Sequence, residues 1–198
     1  MVPFLEYERH KQACSCRLVS CNHPAPSCNE VMKLKDYEKH KQACAFRLVL
    51  CPAPSCTDTT SISKLDEHWN ICSSNCRTAE RENDRIWGEC TNMAGFFRTS
   101  RILAHGKTFF LKIKNPADFN FFEVVMVGTE TECEDFVASI TVVDKDLKDF
   151  ASMSSYPRPL DEQAWGKMGL TLSKKDMAKI TLPHSIFSFK MKVTICKL

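Results

Sequence analysis

The chain has few glycines and no long apolar run. Only six of its 198 residues are glycine, and none belongs to a Gly-rich loop of the kind that cradles phosphate. No stretch approaches the roughly 18 apolar residues of a membrane span. The first ten residues are charged and lack the apolar core of a secretion signal. We therefore expect no nucleotide loop, no membrane contact and no secretory leader.

Charge is also nearly balanced. The formal net charge of +3 gives no strong electrostatic case for nucleic acid or an anionic membrane surface. Lysines between Lys33 and Lys41 alternate with Asp36 and Glu38, which favours a solvated helix face over a row of phosphate contacts. No nucleophile and base stand together in a recognisable motif, so no catalytic residue is predicted.

Cysteine is abundant, with twelve residues. Six of the cysteines and two of the histidines form two sets of similar spacing. Three thiolates and one imidazole make a closed tetrahedral zinc shell, which holds a fold together and leaves no position for substrate. A disulfide framework is the alternative, but it gives no reason for the paired histidines. We predict two structural zinc ions, bound by Cys21, Cys28, His40 and Cys44 and by Cys51, Cys56, His68 and Cys72.

An internal repeat supports this pairing of ligands. Tyr7–Cys21 and Tyr37–Cys51 are identical at 11 of 15 positions at a lag of 30, and PAPSC occurs twice at a lag of 28. Such self-similarity marks an array of small modules. Residues 15–73 are therefore predicted to form two zinc fingers.

The spacing within each finger has a physical reason. Two cysteines on a tight turn can converge on one ion, and a His and a Cys four residues apart share one face of a helix. The first helix is predicted at Met32–Ala43, and Ile62, Leu65 and Trp69 are predicted to pack around the second site. Each unit is too small for a sufficient core, so metal would supply folding free energy on the order of 10–16 kcal/mol. Loss of a ligand should then disorder one finger and leave the remainder folded.

The first residues match only half a finger. His10 and Cys14 have the His-x3-Cys spacing without two preceding cysteines, so residues 1–14 are predicted to be a metal-free remnant of a finger. Nothing in the sequence supports a site built from His10, Cys14, Cys16 and a partner's ligand. The other cysteines without ligand-like company are predicted to be free thiols, namely Cys16, Cys76, Cys90, Cys133 and Cys196.

Beyond the fingers the hydrophobic period changes to two. Residues 74–93 are predicted to be a linker, in which Ser73–Arg85 lacks Gly and Pro and favours a short helix. Residues 94–198 contain apolar runs of strand length between turn residues, typical of an all-β antiparallel sandwich of about seven or eight strands. The alternating runs predict one buried face per strand. The strands are predicted at Thr108–Lys114, Phe119–Gly128, Phe136–Asp144 and Phe187–Ile195.

Smaller features of this region receive ordinary structural interpretations. Asp161–Lys167 and Lys174–Ala178 are predicted to be brief helical turns. The acids after Gly128 suit a helix N-terminus. Packing is predicted for Trp69, Trp87 and Trp165, and surface turns for His105 and His184.

The order of two such fingers and a β-sandwich resembles the substrate-binding region of seven-in-absentia (Sina/Siah) ubiquitin ligases. The six-residue spacing between the fingers, with Arg47 inside it, is similar to that family's spacing. Gly106–Ile113 and Phe121–Val142 are similar to its strand order, and Pro159–Gly166 is similar to a TRAF/MATH sandwich pattern. The resemblance covers about residues 15–198.

This resemblance implies a TRAF-like sandwich that binds target proteins through an extended peptide and selects them for ubiquitination and proteasomal degradation. A ubiquitin-conjugating enzyme would be recruited only by a RING module, and every well-spaced Cys/His set here belongs to the two fingers. The family's Trp and Met groove residues have no match in Phe96–Leu103, so the peptide-binding residues stay unassigned.

Other functions are also compatible with the sequence. A TRAF-type adaptor without a ligase role would have similar fingers and a similar sandwich. A nucleic-acid-binding finger protein fits less well, because the finger helices carry acids and their spacing is not that of DNA-reading fingers. The resemblance also implies homodimers formed through a sheet face. Zinc-type cysteines without a leader favour the cytoplasm, and also the nucleus.

Overall fold

A computed structural model describes most of the chain, and its elements follow the predicted order of small modules and then sheets. The described residues are 4–23, 28–53, 56–72, 78–80, 86–91, 96–115, 119–144, 146, 148–161, 169–180 and 188–198. The helices are α1 Phe4–Ala13, α2 Leu34–Ala43, α3 Leu65–Cys72, α4 Glu130–Cys133 and α5 Lys174–Ile180. The strands are β1 Leu18–Ser20, β2 Val31–Lys33, β3 Leu48–Leu50, β4 Thr59–Ser61, β5 Thr78–Glu80, β6 Ile86–Thr91, β7 Phe96–Ala104, β8 Lys107–Asn115, β9 Phe119–Met126, β10 Phe136–Val143, β11 Asp149–Ser155, β12 Arg158–Pro159, β13 Leu170–Ser173 and β14 Ser188–Lys197.

Each finger consists of a two-stranded hairpin and a helix. β1 pairs antiparallel with β2 before α2, and β3 pairs antiparallel with β4 before a 3-10 turn at Ile62–Lys64 and α3. The helix predicted at Met32–Ala43 starts at Leu34, because the residues before it are hydrogen-bonded in the hairpin. In each finger, the hairpin contains the first two cysteines of the predicted ligand set, and the helix leads to its His-x3-Cys pair.

Two sheets form the larger part of the fold. One has the order β11-β10-β14-β6 and is antiparallel, and the other has the order β12-β9-β8-β7-β5, with β13 also pairing with β9. In the second sheet the short pairs β5–β7 and β12–β9 are parallel. The sheets share one apolar core, whose members alternate along the strands as the period of two predicts. It includes Phe109, Leu111, Ile113, Phe122, Val124 and Met126 from one sheet and Phe136, Ala138, Ile140, Val142, Met191, Val193 and Ile195 from the other.

The segment between fingers and sheets differs from its prediction. A helix over Ser73–Arg85 is wrong at Thr78–Glu80, which form β5 and pair with Arg101–Leu103 of β7. Ile86–Thr91, as β6, pairs with β14. Part of the predicted linker 74–93 is therefore sheet, because backbone pairing with a sheet edge overrides a weak local helix preference.

The helical predictions within the sheet region have mixed outcomes. α5 confirms and extends the turn predicted at Lys174–Ala178. The acids after Gly128 do begin a helix, α4, where Thr129 and Glu132 form a capping box. The remaining predictions concern parts of the chain outside the described residues, namely the turn after Asp161, the side chains of Trp87 and Cys90, and Cys76, Trp165 and His184.

The central strands of the larger sheet are buried on both faces. We predicted one buried face for β8, yet Phe110 is 0% exposed and Lys112 only 4% exposed on its other side. The prediction is wrong because the second finger covers that outer face. Its Trp69 ring lies 4.9 Å from the ring of Phe110, and Leu65, Val49 and Leu160 belong to the same cluster.

Polar contacts fix the orientation of the second finger on the sheet. Arg47, in the turn between the two fingers, donates from Nη1 to the Leu160 carbonyl at 2.7 Å and from Nη2 to the Gly128 carbonyl at 2.9 Å. The Thr99 hydroxyl donates to the Pro52 carbonyl at 2.6 Å. A Cβ at Gly128 would lie 2.6 Å from Met126 Cε, so a larger residue there would force the buried Met126 side chain to shift. The finger and the sheet are thus one packed body.

Charged side chains are enclosed beneath this interface. Arg158 donates from Nε to the carboxylate of Glu123, which is 1% exposed, at 2.7 Å. Lys112 stands opposite Glu123 in the strand register, and burial lowers the pKa of this lysine while the Glu123 carboxylate opposes that shift. A buried carboxylate shared by two cations is tolerated because the charges compensate one another.

The shared core predicts an unequal response of two residues on α3. Trp69→Ala should destabilise the chain by about 3–5 kcal/mol, because the side chain is fully buried against the sheet. Ile71→Ala, on the same helix but 76% exposed, should change stability by less than about 0.5 kcal/mol. Urea unfolding of the metal-loaded chain, followed by circular dichroism, measures both.

A third variant separates the contribution of aromatic packing at Trp69 from the cost of its buried indole N–H. Trp69 Nε1 is buried and has no hydrogen-bond partner among the described residues. Trp69→Phe should therefore cost much less than Trp69→Ala, because it keeps an aromatic ring and removes an unsatisfied donor. Equal losses for Trp69→Ala and Ile71→Ala would contradict the packing of α3 on the sheet.

Candidate metal centres

The first predicted ligand set converges in space. Cys21, Cys28, His40 and Cys44 each direct one ligand atom to a common point, with all four atoms within 4.8 Å of one another. Cys21 Sγ lies 3.9 Å from Cys44 Sγ, and Cys28 Sγ lies 3.7 Å from His40 Nε2. Four donors bound about 2.3 Å from one ion in tetrahedral geometry would be about 3.8 Å apart. The measured separations fit a bound metal ion.

The second set converges in the same way. The ligand atoms of Cys51, Cys56, His68 and Cys72 also lie within 4.8 Å of one another. Cys51 Sγ is 3.4 Å from Cys72 Sγ, and Cys56 Sγ is 3.2 Å from His68 Nε2. All eight predicted ligand residues are therefore placed in two clusters compatible with two metal ions. With four protein donors each, such a shell has no open position.

Backbone hydrogen bonds hold the two hairpins in the required shape. The Cys21 amide donates to the Glu30 carbonyl at 3.0 Å, and the Cys51 amide donates to the Asp58 carbonyl at 2.9 Å. In the second finger, the Ala53 amide also points to Cys51 Sγ at 3.5 Å. These bonds close a loop around each pair of cysteines and hold the two thiols on the same side of it.

The sequence analysis missed two side-chain contacts that support the first cluster. The Glu30 carboxylate lies 2.9 Å from His40 Nδ1, which leaves Nε2 to face the thiols. The Tyr37 hydroxyl donates to the side-chain carbonyl of Asn22 and thereby ties α2 to the hairpin. A carboxylate on the distal imidazole nitrogen orients the ring and raises its basicity. The only sequence signal for Glu30 is its position two residues after Cys28.

Three of the cluster thiols have raised pKa values. Burial raises the pKa of the Cys44 thiol to about 11. Burial also raises the pKa values of Cys51 and Cys72. Ligand thiols must be deprotonated to coordinate, so metal binding releases protons and weakens as pH falls.

The surroundings of the two clusters differ. The first has only a small core of its own thiols with Met32 and Phe46 partly buried against them. The second shares a core with Phe110, Val125 and Leu160 of the sheet region. A metal ion at the first cluster would therefore organise one finger, whereas a metal ion at the second would also support a face of the sheet.

The other cysteines and histidines of the described residues lie outside the clusters. His10 and Cys16 are exposed and Cys14 is half-buried, in and after α1. Cys196 is exposed, while Cys133 is buried, which raises the pKa of its thiol to about 12 and makes it a poor nucleophile. His105, at the predicted turn, has its Nε2 3.0 Å from the Ile195 carbonyl.

Comparison with protein-family models and with curated proteins finds no match for this chain. Among the described residues, no helix combines the length and the apolar composition that crossing a membrane requires. The assignment of function therefore depends on the clusters, the sheets and the residues that join them.

The difference in surroundings predicts different consequences of losing each metal ion. Cys28→Ser should remove one bound ion and leave the melting of the sheets unchanged, because the first cluster has its own small core. Cys56→Ser should lower the melting temperature of the sheets by on the order of 10 °C, since a few kcal/mol of shared packing is lost. Calorimetry with metal analysis of each variant checks this, and equal melting curves would contradict it.

The carboxylate beside His40 predicts a selective effect on metal affinity. Glu30→Gln should weaken binding at the first cluster about 10–100-fold, because the imidazole loses its carboxylate partner. Glu38→Gln, which changes an exposed acid on α2, the helix of His40, is the control and should have no effect. Chelator competition with Zn²⁺ on the intact chain measures both affinities.

The second finger allows the converse test, in which a longer acid is introduced beside the histidine ligand. Asp58 occupies the position of Glu30, two residues after the second cysteine, and no hydrogen bond joins it to His68 in the described part of the chain. Asp58→Glu supplies the missing methylene and should tighten the second site. A loss of affinity in this variant would show that the carboxylate does not act through the imidazole.

Proposed function

We propose that this chain is a zinc-stabilised protein-binding module that selects target proteins for ubiquitination and proteasomal degradation. Both clusters would hold zinc, because three thiolates and one imidazole in a tetrahedral arrangement are a structural zinc donor set. The closed shells leave no coordination site for a substrate. The function would therefore lie in the surfaces that the fingers and sheets present.

The observation that carries the proposal is the contact network of Arg47. The resemblance to Sina/Siah ligases rests on four separate segments, and Arg47 lies in the first of them. Its guanidinium donates to the carbonyl of Gly128, which follows β9 in the segment Phe121–Val142, and to that of Leu160 in the segment Pro159–Gly166. The residues that are similar to the family thus contact one another and join finger to sheet. This supports a TRAF-like arrangement of the two sheets.

A sheet edge offers a place for an extended peptide. β7 pairs with β8 along its whole length, but β5 covers its other side only at Arg101–Leu103. Over Phe96–Ser100 no described strand lies on that side. A target peptide could add there as a further strand, bound by backbone hydrogen bonds and read through alternate side chains.

Ubiquitin transfer would need a RING module in addition to these clusters, and the conjugating enzyme would be a partner only through it. Zinc-thiolate centres persist in reducing compartments, so the cytoplasm and nucleus are the proposed locations. The competing proposal is an adaptor that binds the same class of target without causing its degradation. Homodimers formed through a sheet face remain a further prediction of the resemblance.

Target half-life tests the proposal. Proteins captured by the intact chain, and not by the Cys56→Ser chain with its disrupted interface, define the specific targets. When the protein is depleted from its native cells, these targets should lose ubiquitin conjugates and become longer-lived. Unchanged half-lives and conjugates would overturn the degradation role and favour the adaptor.

A further inference from the structure

The outer face of β8 brings a buried lysine to the second metal centre. Lys112 shares this face with Phe110, two residues away along the strand. Phe110 belongs to the apolar cluster that includes Cys51 and Trp69 of the second finger. Lys112 is 4% exposed and Cys51 is 3% exposed. A cation and a metal ligand are therefore enclosed within the same interface between finger and sheet.

A hydrogen bond from the neighbouring strand brings these two groups close together. Thr99 stands opposite Lys112 in the register of β7 and β8, and its hydroxyl donates to the Pro52 carbonyl at 2.6 Å. Side chains directly opposite in an antiparallel pair have Cβ atoms about 4.5–5.5 Å apart. Because Pro52 follows Cys51 in the chain, Lys112 lies one strand away from a residue adjacent to the ligand. Burial lowers the pKa of Lys112, and the Cys51 thiolate is one of the negative charges that oppose this shift.

The carboxylate opposite Lys112 also binds a second cation. Glu123 faces Lys112 in the register of β8 and β9, is 1% exposed, and accepts a hydrogen bond from Arg158 at 2.7 Å. One buried carboxylate is therefore shared by two cations. Asp161 Oδ2 lies 3.7 Å from Arg158 Nη1, but its side chain is 42% exposed, so solvent screens its charge. A further negative charge beneath the finger would stabilise this interface.

The donor set of the second cluster would provide that charge when it holds a divalent ion. One divalent cation and three thiolates leave one net negative charge on the shell. In a poorly solvated interface, opposite charges attract far more strongly than they do in water. A lysine beneath Cys51 is therefore placed to stabilise the charge that coordination creates on the sulfur atoms.

The internal repeat shows a difference between the two clusters that matches this role. Arg47 follows Cys44, the last ligand of the first cluster, by three residues, and the matching position after Cys72 is Asn75. Burial lowers the pKa of Arg47, and negative charges that include the Cys44 thiolate oppose this shift. The first cluster thus has an arginine beside its last cysteine, and the repeat does not provide one at that position of the second.

We propose that Lys112 is the counter-charge of the second metal centre and raises the affinity of that cluster for zinc, which rests on the proposed function in taking zinc as the bound ion. The ammonium group is not a ligand. It stabilises the anionic shell from outside, as groups around a metal site commonly do. The sheet therefore contributes to metal binding in the finger, just as the finger contributes to the core of the sheet.

The zinc affinity of the second cluster tests this role. The full-length Cys28→Ser chain lacks one ligand of the first cluster, so chelator competition with Zn²⁺ on it measures the second. Lys112→Met in this chain keeps the apolar part of the side chain, removes the charge, and should weaken zinc binding about 10–100-fold. Lys112→Arg keeps the charge and should bind zinc more tightly than Lys112→Met. Lys192→Met, which removes a half-buried lysine of β14 in the other sheet, is the matched control and should have no effect.

A further variant separates this role from the pairing of Lys112 with Glu123. Glu123→Gln removes the competing anion and should tighten zinc binding several-fold, because the shell becomes the main charge that balances the ammonium group. If Lys112 served only to pair with Glu123, this variant would not bind zinc more tightly. Since it retains Lys112, it also decides the question if Lys112→Met does not fold.

Metal analysis distinguishes failure of this role from failure of the zinc assignment. A Cys28→Ser chain without zinc would contradict the proposed zinc assignment itself. A zinc-loaded chain that binds as tightly after Lys112→Met, or no more tightly after Glu123→Gln, would overturn the counter-charge role and leave the zinc assignment intact. Equal losses for Lys112→Met and Lys192→Met would indicate an effect of net charge alone and would also overturn it.

Discussion

The packing of the second finger on the outer face of the larger sheet is the contact on which the rest of this structure depends. Trp69, Leu65 and Val49 meet Phe110, Val125 and Leu160 in one apolar cluster. Without that cover, β8 and β9 would expose apolar side chains beside a buried lysine and carboxylate. The finger is therefore part of the sheet's core, and a metal ion bound at its cluster would stabilise the β region as well as the finger.

The same contact explains which features could be predicted from the sequence. The eight ligands were predictable because their spacing is set by one turn and one helix, both local. The inward alternation of Phe109, Leu111 and Ile113 was also predictable, since a period of two needs only one strand. By contrast, the burial of Phe110 and Lys112 on the opposite face depends on residues some 40–60 positions earlier, and no periodicity records that contact.

Three further features that were not predicted have the same origin. Thr78–Glu80 has no apolar period, and it becomes a strand only because β7 offers an edge. Glu30 supports His40 through a single contact between the hairpin and α2, and the sequence does not distinguish this exposed acid from others. Arg47 was noticed as part of a spacing, but its role became clear only from the two carbonyls that it joins. Features set by neighbouring residues could be predicted from this sequence, and contacts between modules could not.

The shared core also limits how this array can change over evolutionary time. A repeat unit can be gained or lost ahead of the first finger, because each unit contacts the next through a turn of a few backbone hydrogen bonds, as α1 shows. A unit placed between the second finger and the sheets must loop out, because Trp69 packs on Phe110 and separating the two rings would open the shared core. The second finger and the β region are therefore constrained to change together.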